Sequence, residues 1–107
     1  MAISRNNIDI NFNRGVSAVQ DVERAARELE KAYEEGEAIL AELQDHWTGE
    51  NADLYRNKLR QRVDKLQDRA GVLQRLAGAM YETVQVYRQD QYRAYYEQQR
   101  KDQAPQN

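Results

Sequence analysis

The side chains able to do catalytic or metal chemistry are few, and their spacing argues against an active site. His46 is the sole histidine, there is no cysteine, and the serines are Ser4 and Ser17, near the N-terminus. A hydrolytic centre needs a nucleophile positioned beside a base, and these residues do not offer one. A carboxylate metal centre inside a helical bundle wants Glu-x-x-His pairs facing inward, whereas His46 has Leu43 three positions before it and Glu42 four before. With no cysteine there is no disulfide framework, thiol nucleophile or thiolate metal site. The expectation is a protein that is not an enzyme, with no cofactor, metal or small-molecule substrate, and with His46 a surface residue.

The chemistry that remains is recognition by aromatic side chains. The only tryptophan, Trp47, stands in the stretch DHWTGEN, and five of the seven tyrosines, Tyr81, Tyr87, Tyr92, Tyr95 and Tyr96, lie in the last third of the chain. What positions them is helix. The composition is rich in Ala, Glu, Arg, Leu and Gln, and the single proline is Pro105, which points to long helices. Apolar or small residues recur at Val19, Val22, Ala26, Leu29, Tyr33, Gly36, Leu40, Leu43 and Trp47, with Phe12 and Val16 extending the row backward. Steps alternating four and three make a heptad seam. The second half repeats it at Leu59, Val63, Leu66, Ala70, Leu73, Ala77, Met80, Val84 and Tyr87, with Ala52 and Tyr55 leading in and Ala94 continuing beyond Gln91.

These rows predict an all-α fold in one domain over 1–107: helix one over about 11–45, a turn at 46–51, helix two over about 52–100 and a disordered tail at 101–107. Gly49 suits the left-handed residue that ends a helix, and Asn51 or Asp53 can cap the next one. So short a break makes the helices antiparallel neighbours in a hairpin. Trp47 then folds over the joint, near Ala52 and Tyr55, and closes the open end.

Charge supports that pairing. From Asp21 to Asp53 there are eleven acidic residues against three basic ones, and from Arg56 to Arg75 seven basic against two acidic. Folding at Gly49 lays these blocks side by side. Exposed ion pairs add only ~0–1 kcal/mol each, so their value lies in specifying orientation. The same pairing accounts for the basic run RNKLRQRVDKLQDR without nucleic acid, and a net charge of -2 gives no general attraction to polyanions.

A mean hydropathy of -1.04 is low for a self-sufficient globule. Narrow apolar stripes usually need a second chain to cover them. Each helix carries a weaker second edge, Ala25, Ala32 and Ile39 on the first and Val72 and Leu76 on the second. Gly71 and Gly78 stand one heptad apart beside Ala70 and Ala77. Glycine costs roughly 1 kcal/mol in a helix interior, so this small-residue set, Ala70, Gly71, Ala77 and Gly78, is read either as a partner interface building a four-helix bundle or as drift on a solvated face.

The turn carries a recognisable pattern. WTGENADLY has the form Trp-x-Gly-x-x-Ala-x-x-aromatic on Trp47, Gly49, Ala52 and Tyr55, and it resembles the WXG-hundred family, the helical-hairpin proteins of type VII (ESX-type) secretion systems. The opening IDINFNRGVSAVQDVERAARELEKA looks like the first helix of members from bacteria of the Firmicutes kind. The resemblance implies a non-enzymatic protein that forms dimeric antiparallel four-helix bundles. It also implies export from the cytoplasm without a cleaved signal peptide, bound to a membrane-embedded secretion ATPase. Consistent with that route, the N-terminus lacks an apolar signal run and no segment has the length of a membrane span. The family's export signal, Tyr-x-x-x-Asp/Glu near the end of helix two, is missing: Tyr81, Tyr87, Tyr92, Tyr95 and Tyr96 are followed four positions later by Gln85, Gln91, Tyr96, Gln99 and Arg100. The one in-frame match is Tyr33 with Glu37, on helix one.

Three readings of function follow. In the first, the chain is a secreted substrate, alone or with a second WxG-like protein. It is recognised at its turn and at the tyrosines Tyr87, Tyr92, Tyr95 and Tyr96, which lie on an overhang of about fifteen residues, ~20 Å at about 1.5 Å per residue. In the second, it is a cytoplasmic targeting partner binding the helical N-terminal domain of a secreted toxin. In the third, it is a homodimeric helical bundle unconnected with secretion.

Overall fold

The computed structural model describes residues 4–103. It contains two helices, α1 (Arg5–His46, 42 residues) and α2 (Glu50–Gln103, 54 residues), separated by Trp47, Thr48 and Gly49. Among the described residues there is no strand. The fold is all-α, as the periodicity predicts.

Helix α1 begins six residues earlier than expected because Ser4 caps it. The Ser4 carbonyl accepts the Ile8 N–H at 3.1 Å and its Oγ accepts the Asn7 N–H at 3.0 Å, the bonds of an N-cap serine. At the other end, residues 101–103, expected as disordered tail, continue α2, and the rest of that segment lies outside the described residues.

The chain divides into two compact units, each containing part of both helices. The turn unit, Val22–Leu76, is an antiparallel helical hairpin. Its core is Ala26, Leu40, Ala52, Val63 and Ala70, flanked by half-buried Val22, Leu29, Tyr33, Leu43, Leu59, Leu66 and Leu73. Every one of these belongs to a predicted seam. Register is marked by Arg60 donating to Glu37 and Gln74 donating to Glu30. It is marked also by the backbone of Gly36 against Val63, where a Cβ would stand 2.8 Å from Val63 Cγ2.

The terminal unit joins the residues before Val22 to those after Leu76. Ile8, Val19 and Ala77 are its buried centre, and Gly15 meets Val84 as closely as Gly36 meets Val63. Ile8, 2% exposed, falls outside the predicted helix, and its place in the core is a consequence of the Ser4 cap. Beyond Val84 the seam departs from expectation. Tyr87 is 45% exposed and Ala94 is exposed, while Arg88, Gln91, Tyr92 and Tyr95 are partly covered. A helix with 3.6 residues per turn drifts ~20° per heptad against a strict seven-residue repeat, and a step of four from Val84 to Arg88 absorbs that drift.

Candidate recognition surfaces at the turn and the helix ends

At the turn, α1 closes with the Trp47 N–H donating to the Leu43 carbonyl at 2.8 Å, and α2 opens with the Asp53 N–H donating to the Gly49 carbonyl at 3.0 Å. Gly49 has φ +116°, a conformation that costs other residues much more than glycine. Gly49 therefore both reverses the chain and fills the N-cap position expected of Asn51 or Asp53, which lie inside the first turn of α2. Glu50 and Asp53 place negative charge there, where the helix dipole favours it.

Trp47 lies just past the last helical residue of α1 and stacks on Tyr55, ring centroids 6.0 Å apart and planes 11° from parallel. Lys58 Nζ sits 5.7 Å from the Tyr55 ring centre, and Ala52 is buried. Of the four motif residues, Trp47 and Tyr55 touch, Ala52 is buried and Gly49 borders open space, while Trp47 is 37% exposed. A groove of about 430 Å³ beside the turn is lined by Leu40, Gln44, Asp53, Arg56, Asn57 and Arg60. Its cations are engaged already: Arg56 pairs with Asp53 and lies 3.5 Å from the Gln44 carbonyl, and Arg60 pairs with Glu37.

The small-residue set does not form one surface. Ala70 and Ala77 are 2% and 3% exposed. They are buried positions of their own units. Gly78 has nothing within reach of an added Cβ, and Gly71 has only the Arg75 guanidinium at 3.5 Å.

The C-terminal tyrosines also divide. Since α1 starts at Arg5, Tyr92 is not on a free overhang. Its hydroxyl donates to Asp9 at 2.5 Å. Arg88 lies 4.4 Å above the Phe12 ring, 5.6 Å from that of Tyr92 and 3.7 Å from Asp9. Tyr96 stacks on Tyr92 at 6.2 Å and meets Tyr95 edge-on at 5.3 Å. Tyr87 and Tyr96 stay exposed. This Asp9–Arg88–Tyr92 clasp joins residues 83 positions apart, and no local spacing announces it.

The hydrogen bond to Asp9, followed by partial desolvation, raises the Tyr92 pKa above the ordinary tyrosine value, and desolvation followed by Glu37 raises that of Tyr33. A phenol whose folded pKa is raised holds its proton longer when folded. Its contribution to stability is therefore complete below the unfolded pKa and is lost as pH rises through the folded one. Tyrosinate absorbance should resolve two late-titrating tyrosines with stability falling over that alkaline range, and Tyr92→Phe should remove one of the two.

Among the described residues there is no group of His, Cys, Asp or Glu able to hold a metal ion, and no helix long and apolar enough to cross a membrane. Compared with protein families, curated proteins and solved structures, the chain has no match.

Proposed function

We propose that the chain is a non-enzymatic pairing protein of the WxG kind and a substrate of a type VII secretion system. In this reading it pairs as a four-helix bundle dimer in the cytoplasm and leaves the cell folded, without a cleaved signal peptide. The secretion ATPase recognises it through the turn and the end of α2. The observation that carries this reading is the turn: a three-residue break, reversed at Gly49, with Trp47 half exposed on Tyr55. Aromatic anchors of that kind dominate recognition energetics. A closed hairpin end needs only to be covered, and full burial would have served that purpose better.

A second reading, a cytoplasmic targeting partner that completes a bundle with the helical N-terminal domain of a toxin, is favoured by one observation. None of the tyrosines of α2 is followed by an acidic residue at the fourth position, so the export signal would come from the partner.

Expression of the tagged chain in a host competent for type VII secretion, and in the same host without the secretion ATPase, tests the proposal. The expected result is folded protein in the medium of the first host only. Export independent of the ATPase would overturn the reading, as would retention in both hosts. If retention is relieved by co-expressing a toxin with a helical N-terminal domain, the second reading takes its place.

A further inference from the structure

The expected cancellation of charge across the hairpin covers little of the basic run on α2. Arg60 pairs with Glu37 on α1, while Arg56 pairs with Asp53 of its own helix. Lys58, Arg62, Lys65 and Arg69 are exposed, and among the described residues none of the four has an ion-pair partner. The reason is rotational. Arg60 stands two positions from both Lys58 and Arg62, so those two point about 200° away from it round the helix.

The four cations fall into line. Steps of four, three and four residues put them on one face of α2, and Tyr55, three positions before Lys58, begins the same row. Tyr55 is 52% exposed and carries Trp47 stacked on it, with Lys58 Nζ over its ring. Past Arg69 the row turns apolar at Val72 and Leu76. The turn unit therefore bears a bounded strip, an aromatic pair followed by four cations over about 16 Å of helix at about 1.5 Å per residue.

We infer that this strip binds single-stranded nucleic acid, with phosphates along Lys58, Arg62, Lys65 and Arg69 and a base stacked on the aromatic pair. A basic track beside an aromatic platform is what single-strand binding requires. Spacing selects the form of the strand. Successive cations rise about 4.5–6 Å along the axis, more than the roughly 3.4 Å per phosphate of a stacked strand. One phosphate per cation calls for an extended strand, and unstacked bases are the ones free to stack on side chains.

Charge selects the width of the ligand. Glu28 and Glu35 stand two positions before Glu30 and Glu37, whose bonds to Gln74 and Arg60 mark the other side of the hairpin. Both therefore border the strip, exposed and without an ion pair, and the second strand of a duplex would be brought against them. An acidic polypeptide matches the cations but has no base for the aromatic faces. A net charge of -2 gives no long-range attraction, so binding is local, in the range of roughly 1–100 μM at low salt. The export proposal neither requires this strip nor falls with it.

The full chain carries its own probe, since Trp47 is the only tryptophan. An oligothymidylate of about ten nucleotides, within the site sizes of single-strand binders, should quench Trp47 emission on titration. Four phosphate contacts give a salt slope of about -2.8, an affinity loss of about fiftyfold between about 50 and 200 mM salt. Arg62→Gln combined with Arg69→Gln should weaken binding at least about tenfold and cut that salt effect to about sevenfold. Arg93→Gln, the same change on the terminal unit, should alter neither. Tyr55→Ala should weaken binding at least about fivefold, the loss of one stacked base. All these positions are exposed, so circular dichroism should show helicity kept throughout. The inference is overturned by no binding up to about 1 mM, by an affinity indifferent to Arg62 and Arg69 or to Tyr55, or by a duplex of equal length binding as tightly. Polyglutamate binding as tightly as the oligothymidylate also overturns it and assigns the strip to an acidic polypeptide.

Discussion

Gly36→Leu is expected to lower the melting midpoint by roughly 10–20 °C, while Gly78→Ala raises it by a few degrees. At Gly36 even a first side-chain carbon would stand 2.8 and 3.1 Å from the two methyls of Val63. Valine is β-branched and nearly fixed at χ1 in a helix, so it cannot rotate away and the helices must separate. Overpacking of this kind costs typically ~1–3 kcal/mol or more, and in a domain of this size each kcal/mol moves the midpoint by ~4–8 °C. At Gly78 the same added carbon meets nothing, so the gain of ~1 kcal/mol in helix propensity is kept. The pair is informative because propensity alone predicts stabilisation at both sites. Thermal unfolding at one fixed protein concentration, so that any association is held constant, decides it. Equal shifts of the same sign would show that the close approach at Gly36 is not there.

The helices and their facing rows were readable because burial in a hairpin imposes one periodicity on both strands of the sequence. From Val19 to Leu43 and from Leu59 to Val84, every predicted seam residue is buried or half-buried. What escaped depends on local caps, accumulated drift or distant pairing. Ser4 was present as a capping residue but has no apolar run directly after it, so the first two turns of α1, with Ile8 in the core, went unread. Tyr87 and Ala94 were placed by a strict heptad that a real helix cannot hold for five repeats without supercoiling. Ala70 and Ala77 belong to the seam row and also stand beside Gly71 and Gly78; small residues suit both a close intramolecular approach and a partner, and sequence alone does not separate the two. The candidate site was legible at the turn, where glycine and tryptophan are scarce and local. At the far end it was not, because the bond from Tyr92 to Asp9 needs a register that only the folded hairpin supplies.

That end also changes how the C-terminal tyrosines should be tested. Cutting the chain after Tyr87 removes Arg88 and Tyr92, and with them the contacts that hold Asp9 and Phe12. A loss of export would then mix recognition with fraying of α1. A cut after Tyr96 keeps the clasp and removes only the helical extension beyond it, about 10 Å of helix at about 1.5 Å per residue.

Trp47→Ala is expected to reduce type VII-dependent export at least about thirtyfold with helix content unchanged. The fold tolerates the loss because Trp47 lies outside both helices and its one described ring contact is Tyr55. Such a stack is worth ~0.5–1.5 kcal/mol beyond the area it covers, and the cap at Gly49 and the buried Ala52 do not depend on it. Recognition does not tolerate it if the ring is an anchor, since removing an aromatic anchor costs about 2 kcal/mol or more, some thirtyfold in affinity. The two contributions separate in Trp47→Phe, which keeps an aromatic face on Tyr55 but loses the indole N–H and part of the contact area. That variant should recover stability almost fully and export only in part. If Trp47→Ala is exported like the wild type while its circular dichroism is unaltered, the tryptophan only closes the hairpin, and the proposal loses the observation on which it stands.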